Sequence, residues 1–443
     1  MRQRKGHPSD MWRVVATVIG VVLYMMPFYA SSQAWLSGRE DREGAGVKVG
    51  DSLIFHPGIA LEGGYDTNPL RQDKNPEGAG RLRLTSYLDL ATRKSERRVE
   101  DNNVEGATPP KIEFRFGLAG FYDFFFSKED AVDKQDDFGI DTHLNFVLFP
   151  QGDYSFLSKL LYVRTLQPYE SPEEWHARHT INPQLGFRAR PGGGTLSLTL
   201  GYSADFLLYE DDKIADLNNK VTNDLRFDTA WKLLPKTALV TSIRFSPIRY
   251  LGSSSENVES RPIRSQVGIR GLLTERFGLT IMVGYGASFY SQGDDFDGLI
   301  AAGEIMFFPT PFSNIRLGGQ RDFQDSFYAN FYVKSGGYLK YEQMFGKIFL
   351  ASIEGNIYHR DYSTLSNYPM SSVNSVNQGK RADIWVGAKL LLELRATNWL
   401  SVMASVAYGA NFSEFAYNLP RPQPDDPVKF QKFEAMGGVR VHY

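Results

Sequence analysis

The chain ends in the sixteen residues Val428-Lys-Phe-Gln-Lys-Phe-Glu-Ala-Met-Gly-Gly-Val-Arg-Val-His-Tyr443. Counting back from Tyr443, one set of alternate positions holds Val441, Val439, Gly437, Ala435 and Phe433. The other set holds His442, Arg440, Gly438, Glu434 and Lys432. Only a β-strand places alternate residues on opposite faces. The pattern therefore predicts a final strand with one apolar face and one largely charged face.

A final strand of this kind resembles the closing strand of bacterial outer-membrane β-barrel proteins. In that family, the terminal aromatic residue and the alternate apolar residues before it form the signal that the insertion machinery reads. The resemblance implies an insertion signal made of Phe433, Gly438, Val439, Val441 and Tyr443. It also implies that the protein lies in the outer membrane of a Gram-negative bacterium. The expected partners are outer-membrane lipids, lipopolysaccharide and the barrel assembly machinery.

The N-terminus has the composition of a cleavable secretory signal. Residues 1–13 are basic, an apolar run follows, and small residues up to Ala34 suit signal peptidase. We predict a signal peptide over residues 1–34, cleaved at Ala34, and a short periplasmic segment over residues 35–51. The alternative is an uncleaved membrane anchor. The apolar run disfavours it, being shorter than the roughly 20 residues of a spanning helix and interrupted by Pro27.

The composition excludes several classes of function. The chain has no cysteine, so it offers no disulfide, no thiolate metal site and no lipid-anchored cysteine. Its 49 basic and 51 acidic residues leave no electrostatic footprint for nucleic acid. We predict no cofactor. The 41 glycines and 14% aromatic residues favour an all-β fold. The hydrophobic fraction of 42% agrees with a barrel, because only the outward half of each strand meets lipid.

Alternating segments recur from about residue 52 to the C-terminus. Short turns containing proline, glycine or asparagine separate them at one end, and longer polar stretches separate them at the other. This asymmetry is typical of outer-membrane barrels. We predict a single closed antiparallel transmembrane β-barrel over residues 52–443, with about 18 strands (16–18), short periplasmic turns and long extracellular loops. The long charged connection 93–110 stands where a short turn is expected. A soluble β-sandwich is disfavoured because no linker divides the chain.

Aromatic residues gather at the predicted strand ends, where a membrane-interface girdle is expected. At the short turns they are Phe149, Phe277, Phe312, Phe345 and Trp399. Near the long loops they are Tyr65, Tyr250, Tyr290, Phe323 and Tyr362.

The opposite face of each strand predicts what lines the interior. Its main candidates are Arg115, Arg244, Arg264, Arg270, Arg316, Tyr332, Lys334, Tyr338, Tyr358, Arg360, Trp385 and Arg395. Carboxylates alternate with these cations, and such a mixture argues against a strongly ion-selective pore, which would show rings of one sign. A barrel of 16 to 18 strands is wide enough for a water-filled passage. Hydroxyls, amides and aromatic faces also suit sugars.

Catalysis is disfavoured, and we predict that the protein is not an enzyme. His176 and His179 form an H-x-x-H pair in a predicted loop, but without the H-E-x-x-H spacing of a zinc hydrolase. Residues 293–298 lack the full pattern of a calcium loop. Both segments are predicted to be solvated loops.

The predicted first strand, Gly58-Ile-Ala-Leu-Glu-Gly-Gly-Tyr-Asp-Thr-Asn-Pro-Leu-Arg71, ends in a Tyr-Asp-x-Asn group. It resembles the first strand of β-barrel porin-type proteins that accompany capsule and exopolysaccharide systems. The resemblance implies a conduit for polysaccharide export, working with a separate periplasmic export component. Two alternatives stay open: a general or solute-specific porin, and a structural barrel that anchors a surface or motility complex.

Overall fold

The computed structural model describes residues 46–50, 52–92, 111–133, 136–168, 175–252, 258–326, 329–346, 348–364, 381–417 and 426–443. Within these ranges the chain is almost entirely β-strand, with two short helices, α1 (Asp130–Asp133) and α2 (Asp212–Asn218). In the same ranges, no helix is both long enough and apolar enough to cross a membrane.

Eighteen strands form the wall, with β10 (Thr237–Phe245) and β11 (Ile248–Tyr250) counted as one interrupted strand. The other wall strands are β2 (Leu53–Asp66), β3 (Ala79–Thr92), β4 (Ile112–Phe126), β5 (Asp137–Leu148), β6 (Tyr154–Pro168), β7 (Trp175–Ala189), β8 (Leu196–Tyr209), β9 (Lys220–Leu234), β12 (Ser260–Leu272), β13 (Phe277–Tyr290), β14 (Phe296–Phe307), β15 (Ser313–Asp325), β16 (Phe331–Phe345), β17 (Phe349–Tyr362), β18 (Ala382–Arg395), β19 (Leu400–Ser413) and β22 (Phe430–His442). Three short strands complete the set: β1 (Val47–Val49), β20 (Ala416–Tyr417) and β21 (Asp426–Pro427).

Each wall strand pairs antiparallel with its sequence neighbour, and the last strand returns to the first. β22 pairs with β2 from Gly58↔His442 to Asp66↔Glu434. Backbone hydrogen bonds hold both ends of this seam. The Tyr443 N–H donates to the Pro57 carbonyl at 3.1 Å, and the Thr67 N–H donates to the Phe433 carbonyl at 2.9 Å. The predicted all-β closed barrel of about 18 strands is confirmed.

The connections differ between the two rims. The turns after β5, β7, β9, β12, β14, β16 and β18 are short, while most of those at the opposite rim are longer. The connection 93–110 lies outside the described residues. Residues 47–49, predicted to lie in the periplasmic segment, form β1 and pair with residues 53–55 of β2. The prediction that His176 and His179 lie in a loop is wrong, because β7 begins at Trp175 and therefore contains both residues.

The outer face of the barrel is apolar. Ile263, Val267 and Ile269 of β12 are exposed, and they alternate with inner-face residues such as Arg264. The five aromatic residues predicted at the short turns are all about half exposed. At the long-loop rim, Tyr65 is exposed as predicted. The prediction is wrong for Tyr362, which is buried, and for Phe323, which is only 1% exposed.

Candidate functional site

Alternation places the twelve predicted lining residues on the face opposite the exposed apolar side chains. Several of the arginines pair there with a carboxylate on another strand. Arg115 Nε donates to Asp89 at 2.8 Å, and Arg264 Nε donates to Asp322 at 3.1 Å. Arg244 donates to Asp224. These three arginines thus each meet a carboxylate on the inner face. Whether any of these residues contacts a passing solute stays a prediction.

Other candidates lie along the same wall between β12 and β18. Arg316 on β15 is the register partner of Lys340, and Arg270 on β12 is exposed near the short-turn rim. Arg395 ends β18 at that rim. Tyr338 lies across Gly318 of β15 and donates to Glu304 of β14. The Tyr338 ring thus covers a glycine on the neighbouring strand and lies against the wall.

A buried ionic network near the closing seam was not among the predicted residues. Arg81 and Arg83 of β3 both pair with Asp123 of β4, at 2.9 Å and 2.6 Å, and Arg81 also pairs with Glu434 of β22 at 3.0 Å. The alternating run Arg81-Leu-Arg-Leu84 was the available signal, because it places both arginines on one face of a strand. The network connects β3 and β4 with the last strand, β22, across the intervening strand β2.

β15 separates from β14 near the long loops. Its pairing with β14 runs from Phe307↔Ile315 to Ala301↔Arg321 and stops there, while its pairing with β16 continues to Asp325↔Phe331. Residues 322–325, which we name the in-folded end, are therefore not held by β14. The Phe323 ring stacks on the inner-face residue Phe296 of β14, with ring centroids 4.2 Å apart. This is why Phe323 is absent from the girdle.

The in-folded end reaches far across the mouth. Lys220 of β9 donates to Asp325 at 2.7 Å, although β10–β11, β12, β13 and β14 all lie between β9 and β15 in the wall. Arg264 of β12 donates to the Phe323 carbonyl at 2.8 Å, and its guanidinium lies 3.9 Å from the ring centroid of the same residue. These contacts hold the end of β15 on the inner side of the mouth, next to β9 and β12.

Cations and aromatic rings alternate on the wall beside the in-folded end. Lys334 Nζ lies 4.0 Å from the ring centroid of Tyr358, and the Arg360 guanidinium lies 5.5 Å from that of Trp385. Trp385 in turn packs against Phe430. We name the set the mouth surface; it comprises Arg71, Tyr332, Lys334, Tyr358, Arg360, Tyr362, Arg381, Trp385, Phe415 and Phe430. Five of its residues were predicted as lining residues.

The barrel has a closed wall, an apolar outer face and a charged, hydrogen-bonded inner face. These three features together fit a protein that spans a membrane. A closed sheet leaves no unpaired strand edge, and an exposed apolar outer face requires lipid around it. The protein is an outer-membrane β-barrel. Its location is the outer membrane of a Gram-negative bacterium.

Comparison with known proteins gives structural matches alone. No protein-family model and no curated protein sequence matches the chain. The FrpB iron transporter of Neisseria meningitidis aligns with 88% of this chain and 81% of its own chain, at 8% identity and a TM-score of 0.44. OpdK of Pseudomonas aeruginosa aligns with 88% of this chain and 99% of its own chain, at 9% identity and a TM-score of 0.42. OccAB3 of Acinetobacter baumannii gives the same coverage, at 10% identity and a TM-score of 0.43.

The residues of the predicted insertion signal take two positions in the barrel. Phe433, Val439, Val441 and Tyr443 are exposed on the outer face of β22. Gly438 lies on the inner face, opposite Glu62 of β2. The predicted cleavage position, Ala34, lies outside the described residues.

The two segments weighed for metal binding hold other contacts, and neither is wholly a loop, because β7 contains His179 and β14 begins at Phe296. His179 packs between the Tyr162 hydroxyl, 3.0 Å from its Nδ1, and Glu210, 2.9 Å from its Nε2. The aspartates of residues 293–298 accept from separate groups: Asp295 from the Tyr290 N–H and Asp297 from the Tyr285 hydroxyl. Among the described residues, no three histidine, cysteine or acidic side chains could together hold a metal ion. That the barrel is not an enzyme stays a prediction.

Proposed function

We propose that this barrel is a passive conduit for polar solutes, of the solute-specific porin kind. The observation that carries the proposal is the inner wall, where pairs such as Arg115–Asp89 and Arg264–Asp322 keep a hydrophilic lining of mixed sign. A wall of eighteen strands encloses enough space for water. The in-folded end of β15 supports selectivity by size, because it occupies part of the mouth.

The proposal is tested by adding the purified, folded barrel to a planar lipid bilayer. We expect stepwise conductance with weak preference between cations and anions, because the lining carries both signs. Liposome swelling should show uptake of small polar solutes. A folded preparation that inserts into the bilayer but passes neither ions nor solutes would contradict the proposal.

Removing the anchor of the in-folded end should enlarge the conducting path. In Asp325→Ala, Lys220 loses the carboxylate that it contacts at 2.7 Å, and we expect a larger single-channel conductance. Asp297→Asn is the matched control, because Asp297 accepts from Tyr285, whose side chain is exposed on the outer face near the same rim. Equal conductance in wild type and Asp325→Ala would show that the in-folded end does not limit flow.

A second candidate is the outer-membrane exit of a polysaccharide export system, acting with a separate periplasmic component. The mouth surface favours it, because aromatic faces separated by cations suit a sugar polymer. Deletion of the gene should then remove the surface polymer. Unchanged polymer in the deletion strain, together with bilayer conductance, would exclude polysaccharide export and support the porin proposal.

We also propose that the last strand directs insertion of the barrel into the membrane. The exposed residues Phe433, Val439, Val441 and Tyr443 support recognition of the last strand by the barrel assembly machinery. Their outward direction also puts them against membrane lipid once the barrel is closed.

A further inference from the structure

We infer that the mouth surface is a binding site for a carboxylate-bearing saccharide. The inference rests on the proposed function, since the conduit brings the solute to this wall. It names one substrate class, whereas the proposed function concerns polar solutes in general.

The first argument is the spacing of cations and rings. Arg360 lies between two rings, 5.7 Å from the centroid of Tyr332 and 5.5 Å from that of Trp385. Arg71 lies 5.4 Å from the ring centroid of Phe430, which packs against Trp385 with centroids 5.7 Å apart. The surface thus runs cation, ring, ring, cation, ring. A saccharide with carboxylates repeats the complementary pattern: an apolar C–H face that packs on rings and an anion that pairs with arginine.

The second argument is the charge. The mouth surface carries Arg71, Lys334, Arg360 and Arg381, four positive charges. Asp383, which accepts from Arg381 at 2.7 Å, is also the register partner of Arg360, and Asp66 lies near Arg71. The partly exposed cations Arg71, Lys334 and Arg360 favour an anionic ligand over a neutral one.

The third argument distinguishes a saccharide from a small inorganic anion. Sulfate or phosphate would gain from the cations and nothing from the partly exposed rings of Tyr332, Trp385 and Phe430. Tyr332 also brings a hydroxyl to the surface, and that hydroxyl already donates to Gln324 of the in-folded end. Rings, hydroxyls and cations together match a ligand that has an apolar face, hydroxyls and carboxylates.

Titration calorimetry on the detergent-solubilised barrel tests the inference with trigalacturonate as the probe. Maltotriose tests the need for the carboxylates, and sodium sulfate tests the need for the sugar. We expect trigalacturonate to bind at least tenfold more tightly than either. Equal affinity for maltotriose would overturn the anionic part, and equal affinity for sulfate would overturn the saccharide part.

Variants place the site. Arg360→Gln should weaken trigalacturonate binding roughly tenfold, which is the effect of losing one charge-assisted contact. Trp385→Leu should weaken it without changing the weak response to sulfate. Lys232→Gln, at the short-turn end of β9, removes one positive charge far from the mouth surface and should bind like wild type. Each variant is first shown to fold by its heat-dependent migration on a gel.

Unchanged affinity in Arg360→Gln and Trp385→Leu, with both proteins folded, would refute the site. The binding measurement needs no passage through the barrel. Failure of the proposed conduit would therefore appear as absent conductance, while failure of the inference would appear as absent or unselective binding by a conducting barrel.

Discussion

Replacing Gly438 with alanine is expected to destabilise the seam that closes the barrel. Gly438 faces Glu62 of β2 across the seam between the last and first strands. A Cβ at this position would lie inside contact distance of the Leu61 carbonyl oxygen and 2.9 Å from the Glu62 Cα. These obstacles are backbone atoms, so no side-chain movement relieves them. The two strands would have to separate where the barrel is sealed.

The expected loss of stability is about 3 kcal/mol, the upper part of the range for forced overpacking. This change in stability has the opposite sign to the usual one. Replacing glycine with alanine within a strand normally stabilises a protein by about 0.5–1 kcal/mol. The measurement is the fraction of heat-modifiable, compact protein on unboiled gels, followed by a denaturant titration in detergent.

Gly437→Ala is the matched control for the seam. A Cβ on Gly437 would meet the Met403 carbonyl oxygen at 3.8 Å, an ordinary van der Waals distance. We expect that variant to fold like wild type. If Gly438→Ala closes as well as Gly437→Ala does, the packing of this seam is not as described.

Replacing Asp123 with alanine is expected to be the most destabilising single change in the ionic network. Asp123 is buried and accepts from both Arg81 and Arg83. Its removal takes away the carboxylate that both Arg81 and Arg83 contact directly. Breaking a buried pair from one side costs about 3–5 kcal/mol, because an uncompensated charge stays buried. Denaturant unfolding of the detergent-solubilised protein, followed by tryptophan fluorescence, measures the change.

An exposed ion pair supplies the comparison for this prediction. Arg249 and Glu259 lie 3.9 Å apart, with both side chains more than half exposed. Pairs of this kind contribute roughly 0–1 kcal/mol, so Glu259→Gln should unfold like wild type. A similar small loss for Asp123→Ala would mean that water reaches Arg81 and Arg83 and that the network is not a sealed part of the wall.

The fold could be predicted from the sequence because its rule is local. In β22 and β18, side chains alternate at every residue between lipid and interior, and a period of two is visible without any partner strand. The wall's closure followed from the last strand, where Phe433, Val439, Val441 and Tyr443 share a face. The strand number followed from the turns.

The mouth could not be predicted in the same way, because it depends on where pairing between strands stops. Alternation assigns Phe323 to the outer face of β15, together with Leu317. β14 ceases to pair with β15 at Arg321, and Phe323 then packs against Phe296 inside. Nothing in the residues near 321 announces that break. Likewise His179 was placed in a loop, since its contact with Glu210 joins positions far apart in sequence.

The central claim is that the first and last strands are neighbours in one closed wall within the membrane. The chain has no cysteine, so Leu61→Cys with Val439→Cys gives a clean pair at outer-face register partners of β2 and β22. The control pair is Val267→Cys with Val283→Cys on the adjacent strands β12 and β13. Treated in intact outer membranes with a short thiol-reactive cross-linker, both pairs are expected to link within one chain. Efficient linking of the control pair with none between residues 61 and 439 would contradict the closed barrel.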